Sequence, residues 1–379
     1  GWTSPIPMWP LGNNQWMYIL YSPMDMLGNV NYRICRNDQC GVADDIATAG
    51  MNNTGGQTFT SSQEIQKLEY QVQGWVGQPE GDYSNYDPGV QVNSREDFFA
   101  GIEFVPLYSP SWQGYYGQVL DEVAQTGANN IILTPTWHYT HQNLPVLEPL
   151  LGYDPTWADL MQITSWIQLR SPELVIYPQT VFEESIEDWW STSTRDSGWW
   201  LSWYDRYNSF ILHYADFAMQ SGASAIILGE PSMLPALPDG LLPDGTPSGA
   251  PPEAEDYWKQ LIADVREHFT GSVIWAVPYE GGELSVPDCA YDADMLYLLW
   301  RTPLTEQDSS VEVLTAEFSR ILDEDIYPVF SEMEKPIIIG LDYPSVDGAA
   351  TACIQVNGDC ISFESFNQPY ADIPQVGLD

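Results

Sequence analysis

Three acids stand where this chain could do chemistry. Glu230 follows the apolar run Ala225 to Leu228, held between Gly229 and Pro231. Glu280 follows Ser272 to Val277 and the pair Pro278-Tyr279. Asp342 follows Pro336 to Leu341 and precedes Tyr343-Pro344-Ser345. In a chain of alternating strands and helices, the carboxyl ends of the strands are where reactive groups are mounted. Two carboxyls across one bond, one protonated and one ionised, are what glycoside hydrolysis requires. Aromatic and polar residues share these exits and are candidates for holding a sugar: Trp137, His138, Trp200, Tyr279, Trp300 and Tyr343. Neighbouring acids and apolar Trp would raise the pKa of a general acid.

The elements that must carry these residues come in two styles. Residues 1–77 alternate or run apolar at Gln15 to Tyr21, Val30 to Cys35 and Glu64 to Val76, with Gly, Asn and Asp turns between, as in a small β-sandwich. Residues 78–96 are rich in turn formers and read as a linker. Residues 97–379 alternate strand and helix, the pattern of a parallel sheet. Strands are expected at 101–107, 130–134, 173–178, 225–228, 272–277, 294–300 and 336–341. Helices are expected at 115–125, 157–170, 203–220, 256–269 and 311–330, with an acidic, Trp-rich insertion at 183–200. Of the pairs Trp189-Trp190 and Trp199-Trp200, each is expected to bury one member, leaving the other able to face solvent. The long Pro- and Gly-rich run at 235–255 is expected to be functional or disordered.

Seven β–α units fit a TIM-type (β/α) barrel lacking its eighth strand. The rival is an open doubly wound sheet. It is weakened because PLYSPSW follows the first strand, where a Gly-rich phosphate loop would stand.

Composition narrows the partners. With 12 Lys and Arg against 53 Asp and Glu, the formal charge is −41, which repels nucleic acid and anionic membranes. No apolar run is long enough to span a bilayer. Cys35 and Cys40 bracket a short turn, and Cys353 and Cys360 flank Asn357-Gly358, a hairpin signal. Each pair is close enough for a local disulfide, and Cys289 is left over. No Cys and His set has zinc spacing, so no metal site is assigned. No cofactor is expected. Asp38, Asp44 and Asp45 offer oxygens to a structural calcium, without an EF-hand pattern. The chain starts at Gly1 with no signal peptide, and the expectation is a processed protein, secreted or at the cell surface.

The segment WWLSWYDRYNSFILHYADFAMQSGASAIILGEPSM resembles the fourth repeat of the clan A barrel glycoside hydrolases, which carry an acid/base Glu after strand four. Among them it is most similar to glycoside hydrolase family 113, the β-mannanase-like group. KPIIIGLDYPSVDGAA resembles that family's seventh strand. The likeness covers roughly residues 98–350, with its specific matches in these two stretches. It implies a carbohydrate substrate and Glu230 as general acid/base. It puts Gly340 where the family has its nucleophilic Glu, with Asp342 two residues on. A retaining pair stands about 5–5.5 Å apart, whereas inversion tolerates a wider gap, so Asp342 or Glu280 could serve as the base. Two other readings stand beside hydrolysis. One is an inactive glycosidase-like protein that binds glycan or assembles with itself into extracellular material. The other is a calcium-stabilised surface module.

Overall fold

In the computed structural model the described residues are 6, 8–12, 15–19, 28–35, 44–45, 57–60, 66–74, 98–105, 113–170, 172–279, 281–282, 284–305, 310–343, 350–351, 354–356 and 359–361. The chain falls into two compact units. One comprises Gly1–Asn93, Thr302–Asp323 and Asp342–Asp379; the other comprises Ser94–Arg301 and Glu324–Leu341.

In the first unit, β1 (Trp9–Gly12) and β2 (Gln15–Met17) form an antiparallel ribbon. A second ribbon joins β3 (Asn29–Tyr32) to β4 (Gln57–Thr60), tied by Thr58 Oγ1 donating to Asn31 Oδ1 at 2.6 Å. Residues 66–74 were expected within a strand, but they join no ladder among the described residues. The carboxylates offered above to calcium meet protein donors instead. Asp44 pairs with Arg33 at 3.2 Å, and Asp45 accepts from Ile34 N at 3.1 Å and from the Tyr70 hydroxyl. Asp38 lies outside the described residues.

The second unit opens with β5 (Gly101–Phe104), α1 (Gln113–Gln125) and β6 (Asn130–Leu133). Then come β7 (Thr136–His141), β8 (Val146–Glu148), α2 (Trp157–Gln168), β9 (Glu173–Ile176) and β10 (Gln179–Phe182). The helices α3 (Ile186–Thr192) and α4 (Ser197–Ser221) lead to β11 (Ala225–Leu228). After them run α5 (Ala254–His268), β12 (Ser272–Tyr279) and β13 (Met295–Trp300). The helix α6 (Val311–Ile321) belongs to the first unit, whereas α7 (Tyr327–Met333) and β14 (Ile337–Leu341) belong to the second. Near the end, β15 (Ile354–Val356) pairs antiparallel with β16 (Asp359–Ile361), Val356 opposite Asp359, while Asn357 and Gly358, where a turn is expected, lie outside the described residues.

Seven of these strands make one parallel sheet in the order β14-β13-β12-β11-β9-β6-β5. Its inner face is a buried cluster containing Ile132, Val175, Tyr177, Ala225, Ile227, Ile274, Ala276, Tyr297, Leu299 and Ile338. Alternate residues of each strand enter it, as the period of two requires. Tyr297 on β13 donates its hydroxyl to Glu103 on β5, five places away in the sheet. The sheet is therefore curled into part of a barrel. Among the described residues, no eighth strand joins β14 to β5.

Several boundaries differ from expectation for identifiable reasons. The α4 helix starts at Ser197 because the Asp196 side chain accepts from Trp199 N at 2.9 Å, a working N-cap. It ends at Gly222, whose φ of 70° suits a left-handed C-cap. The insertion before it is ordered as α3, capped by Ser185. The helix expected at 311–330 is interrupted by a π-helical turn at Leu322–Ile326, ahead of Pro328. Proline lacks an N–H and collides with the carbonyl four residues back, which the wider turn accommodates.

Candidate active site

Glu230 stands one residue past the fully buried β11. Gly229 makes the turn with a φ of 81°, and a Cβ there would lie 2.7 Å from Cε2 of Trp275. Only glycine meets both conditions. Pro231 then opens a 3-10 helix, Pro231–Ala236. Indole and phenol donors hold this helix down. Trp190 Nε1 donates to Ser232 O at 2.9 Å, Trp258 Nε1 to Ala236 O at 2.9 Å, and Tyr204 Oη to the same carbonyl at 2.6 Å.

The partner of Glu230 comes from an unexpected sheet. β7 continues from β6 past Pro135, and β10 continues from β9 past Pro178, so the two strand exits bend and pair again. With β8 they form a three-stranded sheet, order β10-β7-β8. The bend delivers Thr180, whose backbone N donates to both carboxyl oxygens of Glu230, at 3.1 and 2.9 Å. Thr180 Oγ1 and Ser232 Oγ stand 3.2 Å apart beside it.

Glu230 is only 3% exposed. Burial pushes its carboxyl up to about 7, from an ordinary 4.5, against hydrogen bonds from Thr180 and Ser232 that pull it down. Three buried phenols, Tyr139, Tyr177 and Tyr207, are held well above the usual tyrosine range, first by burial and then by the nearby Glu230 charge. The result is a carboxyl that carries its proton up to neutral pH and faces a threonine amide, hydroxyls and phenols. It is a buried carboxyl with a raised pKa, enclosed by backbone, hydroxyls and aromatic rings.

Gly340 lies on β14, register-paired with Leu299 of β13. A Cβ at Gly340 would come within 2.6 Å of Tyr297 Cζ. The Tyr297 ring therefore occupies the space that any side chain at 340 would need. Its hydroxyl is bonded to Glu103, and its ring meets Tyr177 edge to face at 5.8 Å.

The other predicted residues are dispersed. Trp200 is 2% exposed within a cluster that includes Trp190, Trp199 and Trp203. All four members of the two Trp pairs are buried, which corrects the expectation that one of each could face solvent. Tyr279 and Trp300 are also buried, 5.2 Å apart, and Tyr279 Oη donates to Asp325 at 2.7 Å. Trp137 packs on Phe210, His213 and Tyr214 of α4. His138 stays half-buried, its Nδ1 2.8 Å from Asp154, which also accepts from Leu150 N and Thr136 Oγ1. Asp342 and Tyr343 belong to the first unit, where Tyr343 Oη donates to Thr302 O at 2.7 Å. Glu280, Cys40 and Cys353 lie outside the described residues, and Cys35 and Cys360 fall at β-bridge and strand positions. Cys289 is free and buried. Among the described residues there is no cluster of metal-ligating side chains and no helix long and apolar enough to cross a membrane.

Sequence reasoning missed Thr180, the three phenols and Tyr297. The signal for Thr180 was the motif Tyr177-Pro178-Gln179-Thr180 after an apolar strand. Tyr297 sits in the unbroken apolar run DMLYLLW, which gives no hint of the face it takes.

No protein-family model matches the chain, and no curated protein does. Solved structures do. A GH113 β-1,4-mannanase, in a complex structure, superposes with a TM-score of 0.52 at 15% identity, over 67% of this chain and 75% of that one. The GH113 β-mannanase AaManA from Alicyclobacillus acidocaldarius gives 0.50 at 14% identity, over 72% and 84%. The likeness is one of fold: the curled parallel sheet with its helices resembles the (β/α) barrel of these structures.

Proposed function

We propose that this is a carbohydrate-directed protein on a glycosidase barrel that holds glycan without cleaving it through a covalent intermediate. One observation carries the reading. At Gly340, the position the strand-seven resemblance assigns to a nucleophile, the Tyr297 ring fills the space of a side chain. Double displacement needs a carboxylate there, facing the acid/base across the bond. The 3% exposure of Glu230 supports the same reading, because a glycosidic oxygen has no surface to approach. The fold neighbours are β-mannanases, so β-1,4-mannan is the first glycan to try. The spacing of Cys35 with Cys40 and of Cys353 with Cys360 supports secretion or surface display, since two local disulfides would call for an oxidising compartment.

The test is retardation on immobilised β-1,4-mannan and a glycan panel, with reducing ends assayed in the same samples. Retardation without release of reducing ends is the expected result. Sustained release that is lost in Glu230→Gln would overturn the reading, as would no binding to any glycan.

A second reading rests on the elevated pKa of Glu230. A carboxyl that keeps its proton to about pH 7 is what a general acid needs, and an inverting enzyme could use Asp342 or Glu280 as base. Release of a sugar of inverted anomeric configuration, seen by proton NMR within the first turnovers, would establish that alternative.

A further inference from the structure

We propose that the cleft between α4 and α5 binds the ammonium head of a small linear amine. The two helices pack against each other within the second unit and leave a cleft of about 50 Å³ between them. At roughly 10–15 Å³ for each water-sized group, that space holds an ammonium and its first methylenes, whereas a pyranose ring with its hydroxyls does not fit. Part of the lining is aromatic. Tyr204 of α4 stacks on Tyr257 of α5 with ring centroids 4.5 Å apart, and Trp258 meets Tyr207 edge to face at 5.4 Å. Aromatic faces attract cations.

The polar part of the lining is Asp205, Asn208 and Gln260. Asp264 decides which atoms the two amides present, for its carboxylate accepts from Asn208 Nδ2 at 3.2 Å and from Gln260 Nε2 at 2.6 Å. A carboxylate cannot donate, so each amide turns its nitrogen toward Asp264 and its carbonyl oxygen away. Asn208 Oδ1 is buried and has no donor among the described residues. Asp205 is exposed and adds a carboxylate that solvent and ligand can reach. The cleft therefore offers rings and acceptors, and the basic residues next in sequence, Arg206 and Lys259, stand outside its lining. A positively charged N–H donor suits the orphan acceptor, the carboxylate and the rings together, whereas an anion suits none of them. The net charge of −41 favours the approach of any cation. That attraction is spread over the whole surface, so selection for this cleft rests on its acceptors. Amine binding here requires nothing of the glycan.

The test titrates the full chain with butylammonium chloride and, separately, with tetramethylammonium chloride at the same ionic strength, reading binding by ligand-observed saturation-transfer NMR. The two cations carry equal charge, but only butylammonium has N–H donors. Saturable binding of butylammonium is expected, with tetramethylammonium weaker by about tenfold or more, the factor that one charge-assisted hydrogen bond supplies. Asp205→Asn and Asn208→Leu should each weaken butylammonium by about fivefold or more, with far-UV circular dichroism unchanged. Asp205→Asn alters one exposed side chain and removes one of 53 acids, so the fold and the general attraction for cations stay in place. No saturable binding by the wild type overturns the proposal. So does equal binding of the two cations, or affinity retained by either variant.

Discussion

A Cβ built on Gly340 of β14 would lie 2.6 Å from Cζ of Tyr297 on the adjacent strand β13. The ring that blocks this position is anchored at its far end, where the hydroxyl donates to Glu103 on β5. Tyr297 thus ties one part of the curled sheet to another and closes off the strand-seven exit. Gly340→Glu should then be destabilising, by about 1–3 kcal/mol, as for other side chains forced into filled space. Tyr297→Ala should cost roughly 3–5 kcal/mol alone, the usual loss for a buried ring. The double variant should lose less than the sum, because the truncated ring makes room for the glutamate. Urea denaturation of the four proteins measures the coupling, and strict additivity would contradict the packing described.

Glu230 makes stability depend on pH. Its folded pKa, about 7, lies above the ordinary 4.5, so the folded state holds the proton more tightly. The stabilisation is fully present below pH 4.5 and is lost as pH rises through 7. The difference between the two values corresponds to about 3 kcal/mol. Comparing wild type with Glu230→Gln isolates this from the other acids. The wild type should lose stability relative to the variant between pH 5 and 8, measured by urea unfolding at each pH. A difference that stays flat over that range would show that Glu230 is not titrating in a buried site.

Tyr139 buries a phenol oxygen that has no hydrogen-bond partner among the described residues, and its ring stacks on Phe182 at 5.1 Å. A buried donor without a partner costs about 1–3 kcal/mol, while the ring itself contributes packing. Tyr139→Phe should therefore be neutral or stabilising by up to about 1 kcal/mol. Thermal unfolding reads the sign, and a clear loss of stability would mean that the hydroxyl has a partner.

The charge of −41 predicts a salt response. Like charges crowded on a compact surface repel more than they do in the expanded chain, and salt screens this within roughly 10 Å at 0.1 M. The melting temperature should rise steadily between about 0.05 and 1 M sodium chloride. A melting temperature that falls with salt would indicate that favourable ion pairs, such as Arg170 with Asp121, dominate instead.

The barrel was legible because its strands are nearly all apolar and helices α2, α3 and α4 carry side-chain N-caps. Ala225–Leu228 falls within the expected bounds, and β15 and β16 pair antiparallel on either side of Asn357-Gly358. What stayed hidden came from tertiary pairing. Pro135 and Pro178 read as the ends of strands, yet the chain resumes pairing beyond them and brings Thr180 to Glu230. The aromatic exits were read as sugar platforms, but Trp200, Tyr279 and Trp300 are buried, since large rings stabilise most when packed together. Nothing local distinguishes a Trp that stacks on sugar from one that stacks on Trp.

Covalent trapping shows whether the strand-seven position offers a nucleophile. The full chain is incubated with an activated 2-deoxy-2-fluoro-mannoside, which accumulates the glycosyl-enzyme of a retaining hydrolase, and its intact mass is recorded. An unchanged mass after prolonged incubation is expected. A gain of one fluoromannosyl group, mapped to a carboxylate and lost in the corresponding amide variant, would contradict it.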